Sequence, residues 1–357
     1  METSRKIALP RYAEYNAAMK YLVEQGFEAK CILQPRLTKH TDELGAKNSP
    51  DFVCTPFKTT LGSLIEALEA GADTLIEVYG ECRLGYFAEL QEQILRDMGY
   101  DFTYINLALY DTGKKRDILR ACKAINPKVN MAKVAKAGAE AVRMVENIDE
   151  ITSLYYENCG FDISGGEYRR TYKKFLAAMY SARNRSDIES GYREAKLRFE
   201  EIPINKPEHP LKVGVTGEFY TAMDAFSNLE AEQKLADMGV EVHRWMNISN
   251  RMLHYSGEKN LHVQIADLCD YRMGTNSTAN LWAARKYARE GFDGIIHIKS
   301  ANCTPEIDVI PPMQVISREE KVPILFLTYD TQTSDVGLMT RLEAFYDMIA
   351  MRKRAVY

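Results

Sequence analysis

A Gly-x-Asp junction recurs three times in this sequence, and each time it joins a helix-like segment to an apolar run. The junctions open the stretches GADTLI (71–76), GYDFTYI (99–105) and GFDGIIHI (291–298). Glycine readily adopts the left-handed conformation that ends many helices. Strands that are apolar on both faces are typical of parallel sheets covered by helices. The recurrence therefore predicts an α/β protein built on parallel sheets.

Helix–strand alternation fills both ends of the chain, whereas its middle is rich in Lys, Arg, Glu, Ala and Tyr and reads as helices. The sequence predicts an N-terminal α/β domain (1–110), a helical segment (111–205) and a C-terminal α/β domain (206–357). Each α/β domain is expected to be a doubly wound, Rossmann- or flavodoxin-like parallel sheet. The predicted strands are 6–10, 30–35, 74–80, 102–109, 211–220, 240–247, 294–300 and 323–330.

The segment between the second and third predicted strands contains a cysteine in the stretch FVCTPFK (52–58). Residues up to Pro50 read as a polar loop, and FVC reads as a short strand. An amphipathic helix follows, because apolar residues at 61, 64, 65 and 68 have the spacing of one helical face.

The charge balance argues against polyanionic partners. Lys and Arg number 46 against 50 Asp and Glu, which gives a net charge of −4, so we expect no nucleic-acid or anionic-membrane binding. No apolar run approaches the roughly 18 residues that a membrane span requires, and the N-terminus shows no signal-peptide core. The sequence predicts a cytoplasmic protein.

Three of the seven cysteines follow predicted strands: Cys54, Cys82 and Cys303. Ligands bind to open parallel sheets at the carboxyl ends of strands, so all three thiols are predicted at ligand-binding edges. The triplet Cys-Thr-Pro occurs at both 54–56 and 303–305. Disulfides are rare in a reducing compartment. Cys31, Cys122 and Cys269 read as core residues, and Cys159 lies in a loop-like segment.

Thiolates are soft ligands that select zinc, copper(I) or iron–sulfur clusters. The six histidines show no HExxH or His-x3-His pattern, so zinc fits poorly. Three dispersed cysteines suit a [4Fe–4S] cluster with one iron open to substrate. Candidate side chains for chemistry near this centre are Lys58, Glu218 and Glu306.

The stretches FVCTPFKTTLG, YGECRLGYFAELQEQILRDMGYDF, NCTPEI and YDTQTSDVGLMTRLEAFYDMI together resemble the 2-hydroxyacyl-CoA dehydratase D-component superfamily. The similarity includes benzoyl-CoA reductase-like proteins and the activase-related branch, and it covers both α/β segments. It implies an oxygen-sensitive [4Fe–4S] cluster held by Cys54, Cys82 and Cys303. It also implies electrons from a separate ATP-dependent iron–sulfur activator, an acyl-CoA-like substrate, and a paralogous second subunit or a homodimer.

Three other interpretations of the sequence are open: a non-catalytic iron–sulfur carrier, a double-cubane reductase of small molecules, and a metal-free α/β ligand-binding protein. A double cubane needs about six cysteine ligands, which is nearly all of the seven cysteines in the chain. No phosphate-loop motif is present, so the chain itself is not expected to hydrolyse ATP.

Overall fold

The computed structural model shows an α/β protein with two four-stranded parallel sheets flanked by helices, consistent with two Rossmann-like domains. The predicted fold class is confirmed. The chain divides into two compact units, which we call the N-terminal unit (Met1–Val145 with Leu176–Gly191) and the C-terminal unit (Glu146–Phe175 with Tyr192–Tyr357). The structure describes residues 5–34, 36–77, 87–107, 114–254, 258–271, 273–274 and 276–355.

The sheet of the N-terminal unit has the strand order β2-β1-β3-β4, and all its neighbouring strands are parallel. Its side chains pack against helices on two opposite faces, because residues alternate in direction along each strand. Leu75 belongs to one apolar cluster and Ile76 to the other. The strands are β1 (Lys6–Ala8), β2 (Lys30–Cys31), β3 (Thr74–Glu77) and β4 (Thr103–Asn106).

The sheet of the C-terminal unit repeats this topology in the order β6-β5-β7-β8. Its central pair is in register from Val213 opposite Gly294 to Gly217 opposite Ile298. Every residue of β7 is buried, as predicted for a strand covered on both faces. The strands are β5 (Leu211–Gly217), β6 (Val240–Arg244), β7 (Gly294–Ser300) and β8 (Ile324–Tyr329).

The helices before β5 confirm the helical character predicted for the middle of the chain. A 3₁₀ turn (Ala13–Tyr15) and a π-helical turn (Leu22–Gly26) flank the first helix. Helices α6, α7 and α8 each contribute residues to both units. The helices are α1 (Asn16–Tyr21), α2 (Lys39–Asn48), α3 (Thr55–Glu69), α4 (Phe87–Asp97), α5 (Lys115–Ile125), α6 (Met131–Asn158), α7 (Glu167–Ser181) and α8 (Arg185–Glu201).

The helices after β5 surround the second sheet. A π-helical turn (Ser249–Leu253) follows β6. No helix in the described ranges is long and apolar enough to span a membrane. The helices are α9 (Ala231–Asp237), α10 (Glu258–Gln264), α11 (Ser277–Arg289), α12 (Thr304–Asp308), α13 (Ile310–Glu319) and α14 (Asp335–Arg354).

Two predictions ahead of α3 are wrong. The segment expected to be a polar loop contains α2, which begins at a capping box formed by Thr38 and Thr41. The expected strand at FVC is a turn, because only a few residues separate α2 from α3. Helices α2 and α3 pack closely against each other through Gly45 of α2 and Gly62 of α3. A Cβ at either position would overlap a backbone carbonyl of the other helix, so only glycine allows this approach.

Candidate functional site

The candidate site lies at the carboxyl ends of β5 and β7, the two central strands of the second sheet. The order β6-β5-β7-β8 places the topological switch point between these strands. Crevices at such points are the usual ligand sites of doubly wound sheets. Buried polar side chains converge here, which is the pattern expected of a functional site rather than of a core.

Glu218 follows β5 directly, as predicted, and is 8% exposed. Its two carboxylate oxygens accept hydrogen bonds from the backbone N–H groups of Tyr220 and Thr221, both at 2.7 Å. Its own N–H donates to the carbonyl of Ile298 on β7 at 2.9 Å. Burial raises the pKa of Glu218 above its ordinary value, and these backbone donors oppose that effect.

Glu306 lies on α12 and is 1% exposed. Burial raises its pKa to about 8, and the nearby charge of Glu218 is the second cause. Two carboxyl groups from different loops therefore share one buried region. Glu306 is mostly protonated at neutral pH and can therefore donate a proton. Glu218 instead has its two oxygens occupied by backbone hydrogen bonds, so the two carboxyl groups are suited to different roles.

Asn280 of α11 joins the two loops. Its Oδ1 accepts from the N–H of Gly217 at 3.1 Å, and its Nδ2 donates to the Gly217 carbonyl at 2.8 Å. The same Nδ2 donates to Oε2 of Glu306 at 2.9 Å. One fully buried amide thus fixes both the end of β5 and the orientation of the Glu306 carboxyl group.

His297 of β7 lies beside this carboxyl group. Its Nδ1 is 3.1 Å from the hydroxyl of Thr216. Its Nε2 is 3.3 Å from Oε2 of Glu306, although no hydrogen bond joins these atoms. Burial, and then the charge of Lys299, lower the pKa of His297 to about 3. The ring is therefore neutral at neutral pH.

Lys299 supplies the positive charge of the site. It lies near the end of β7, is 5% exposed, and its Nζ contacts the carbonyl of Ser300 at 3.5 Å. Burial lowers its pKa, whereas Cys303 and Glu306 oppose that shift. A buried ammonium beside carboxyl and thiol groups can attract an anionic or strongly polarised ligand atom.

Cys303 comes three residues after β7, as the sequence predicts. It is the N-cap of α12, with an extended backbone, and its side chain does not cap the helix. Its N–H donates to the Ser300 carbonyl at 3.2 Å, and its own carbonyl accepts from the N–H of Ile307 at 3.1 Å. These backbone bonds fix the start of α12 without using the sulfur as a cap.

Cys54 is the N-cap of α3 in the N-terminal unit, also with an extended backbone and without a side-chain cap. It is 9% exposed. It does not follow a strand directly, contrary to the prediction, because the residues before it form a turn. Lys58, one turn later, donates from Nζ to the carbonyl of Asp51 at 3.1 Å.

The two Cys-Thr-Pro triplets occupy different places in their sheets. Cys54 begins the helix that leads into β3, whereas Cys303 begins the helix that leaves β7. The third predicted ligand, Cys82, lies outside the described residues. Among the residues that the structure does describe, no group of three or more His, Cys, Asp or Glu side chains is arranged to hold a metal ion.

No protein-family model matches this chain, and no curated protein matches it. The site therefore has to be interpreted from its own residues.

The other described cysteines are wholly or partly buried. Burial raises the thiol pKa of Cys31 and Cys159 to about 12, and it also raises that of Cys122. Cys269 belongs to the apolar cluster beneath α11 and α13. None of the six described cysteines forms a disulfide. A raised pKa disfavours the thiolate that coordinates metal, so Cys31, Cys122 and Cys159 are poorly suited to be ligands.

The sequence reasoning did not single out Asn280, His297 or Lys299. The signal for two of them was a histidine and a lysine inside the otherwise apolar run GIIHIKS. A glutamate in the run TLIEVYG carried the same signal in the first sheet. This Glu77 ends β3, is fully buried and accepts a hydrogen bond from the hydroxyl of Tyr104. Burial raises its pKa to about 7.

Proposed function

We propose that this protein is a [4Fe–4S] protein of the 2-hydroxyacyl-CoA dehydratase type, which takes low-potential electrons from a separate ATP-dependent activator. Its substrate would be an acyl-CoA-like molecule, and its cluster ligands would be Cys54, Cys82 and Cys303. The observation that carries the proposal is the neutral, buried Glu306 at a switch point whose strand leads directly into Cys303.

The helix-start positions of two of the three cysteines support a ligand role for them. Cys54 and Cys303 both begin helices in an extended conformation, and neither sulfur caps its helix. Each has proline in the first helical turn, which fixes the backbone beyond the cysteine. Cys82 enters the ligand set through the family resemblance alone.

A bound cluster would supply single electrons at low potential. The chain's own residues would handle protons and orientation. Loss of a 2-hydroxyl group as water requires a proton at the leaving oxygen, and neutral Glu306 is suited to donate it. Asn280 holds the Glu306 carboxyl group in place, and Lys299 would attract the thioester oxygen. Glu218 has both oxygens engaged by backbone donors and would act as a fixed neighbouring charge.

The thiol pKa values favour one cubane over two. A double cubane would need about six ligands, but Cys31, Cys122 and Cys159 have raised thiol pKa values. A single chain is then left with four other cysteines, Cys54, Cys82, Cys269 and Cys303, which are too few for a double cubane and enough for one cubane. The family resemblance selects Cys54, Cys82 and Cys303 among these four.

The test is to measure the content of iron and acid-labile sulfide in protein that has been purified without oxygen. We expect about four of each per chain in the wild type. Cys54→Ser, Cys82→Ser and Cys303→Ser should each lose most of both, since each removes one of three protein ligands. Cys122→Ser and Cys269→Ser are matched controls that should keep the full content, provided circular dichroism shows that all variants are folded.

Other results would replace the proposal. Absence of iron from folded, anaerobic wild type would leave a metal-free α/β ligand-binding protein. About eight irons per chain would indicate a double cubane. An intact cluster without any acyl-CoA binding, measured by calorimetry, would indicate a carrier or accessory subunit.

A further inference from the structure

A groove on the C-terminal unit lies between α9 and α14 and encloses about 590 Å³. Its floor is apolar and half-buried, whereas its acidic rim is exposed. Such a combination suits a partner that presents an apolar side chain flanked by cations. The floor is formed by Met238, Met339 and Tyr346, and the rim by Asp237, Glu343 and Asp347.

Asp237 of the rim is paired with Arg169 at 3.3 Å, but the other two rim carboxylates are not neutralised within the described part of the chain. Glu343 and Asp347 are four residues apart on one face of α14, a spacing at which like charges repel. Neither side chain takes part in a hydrogen bond or an ion pair with a described residue. Lys234, the only cation among the described residues that line the groove, is 2.7 Å from Asp335. Two carboxylates therefore face the groove without a counter-charge.

The matching surface lies on α5 of the N-terminal unit. One face of α5 packs inward through Cys122 and Ile125. The opposite face exposes an apolar residue, Leu119 (37% exposed), among cations. We call this face the α5 stripe; it consists of Arg116, Leu119, Arg120 and Lys123. Arg120 is 3.4 Å from Asp117 on the same helix, so Arg116 and Lys123 supply the stripe's uncompensated positive charge within the described residues.

We propose that the α5 stripe of a second copy of this chain docks into the α9–α14 groove. Leu119 of one copy would contact the Met and Tyr floor of the other, and the stripe's cations would face Glu343 and Asp347. Each copy carries one stripe and one groove, so the contact is heterologous and joins two different surfaces of the two copies. The net charge of −4 per chain opposes non-specific association, so binding depends on this local complementarity.

The test is self-association measured by sedimentation velocity at about 0.05 M and about 0.5 M salt. Wild-type protein should form dimers that weaken as salt rises. The groove variant Glu343→Lys with Asp347→Lys, and the stripe variant Arg116→Glu with Arg120→Glu, should each weaken the dimer at least tenfold. An equimolar mixture should regain the dimer, because the reversed stripe of one variant is complementary in charge to the reversed groove of the other.

Glu200→Lys with Glu208→Lys changes the net charge as the groove variant does but at exposed positions elsewhere; it is the matched control for that variant and should dimerise like the wild type. If a reversed variant misfolds, Glu343→Gln with Asp347→Asn provides a milder test and should weaken the dimer in the same direction. A monomeric wild type would overturn the proposal. So would association that ignores the reversals, or a mixture that stays monomeric.

Discussion

Replacement of Gly217 by alanine is expected to lower the free energy of unfolding by about 3 kcal/mol or more. Gly217 ends β5 with φ at +154°, a conformation that residues with a Cβ rarely adopt. A Cβ there would also overlap the carbonyl oxygen of Ile298 on β7. The paired strands cannot separate at this point without breaking the hydrogen bond from Glu218 N–H to the same carbonyl.

Gly239→Ala separates the cost of backbone strain from the cost of the steric overlap between β5 and β7. Gly239 also has a positive φ, +79°, but no atom lies within 4 Å of a Cβ built there. We expect it to cost only the backbone strain, about 1 to 2 kcal/mol. Urea unfolding of both variants measures the difference. Equal losses for Gly217→Ala and Gly239→Ala would mean that the close approach of β5 to β7 contributes nothing.

The strands were predictable where burial on both faces leaves an unambiguous pattern. The run GIIHIKS predicts β7 at its observed bounds because helices cover both faces of this strand. Helix α2 was not predictable in this way. Its sequence is mostly polar, and it forms through the Thr38 cap and through glycine-mediated contact with α3. That contact depends on a partner helix that periodicity within α2 does not reveal.

In the candidate site, too, the positions of single residues were predictable from local sequence, whereas their contacts with one another were not. The sequence placed Glu218 and Glu306 individually at the ends of strands, because strand ends are visible from apolar runs. Their meeting depends on β5 lying beside β7 and on Asn280, which comes from the helix before β7. Neither neighbour relation is encoded in the spacing along the chain.

The repeated Cys-Thr-Pro triplet was informative about helix starts and misleading about position in the sheet. Proline in the first turn is a local signal, and both cysteines are indeed N-caps. Which strand precedes or follows the helix is a property of the whole topology. The triplets therefore mark two inequivalent positions, and the chemistry proposed for Cys54 and Cys303 does not rest on their equivalence.

Replacement of Glu306 by glutamine is expected to remove a pH-dependent loss of stability. The pKa of Glu306 is about 8 in the folded protein against an ordinary value of 4.5. Between these values the folded chain holds more protons than the unfolded chain, so the free energy of unfolding falls as pH rises. The slope is about 1.4 kcal/mol per pH unit in the middle of this window. From pH 6 to pH 8 the wild type should lose about 2 kcal/mol more than Glu306→Gln.

The measurement is urea unfolding of both proteins at pH 6, 7 and 8. His297 has the opposite sign, because its lowered pKa makes stability rise with pH up to about its ordinary value of 6.5. Between pH 7 and pH 8, above that value, its contribution is nearly constant, so the change measured there reports Glu306. Glu208→Gln, an exposed control, should follow the wild type. If Glu306→Gln also follows the wild type, Glu306 ionises normally, and it cannot be the neutral proton donor that the proposed function requires.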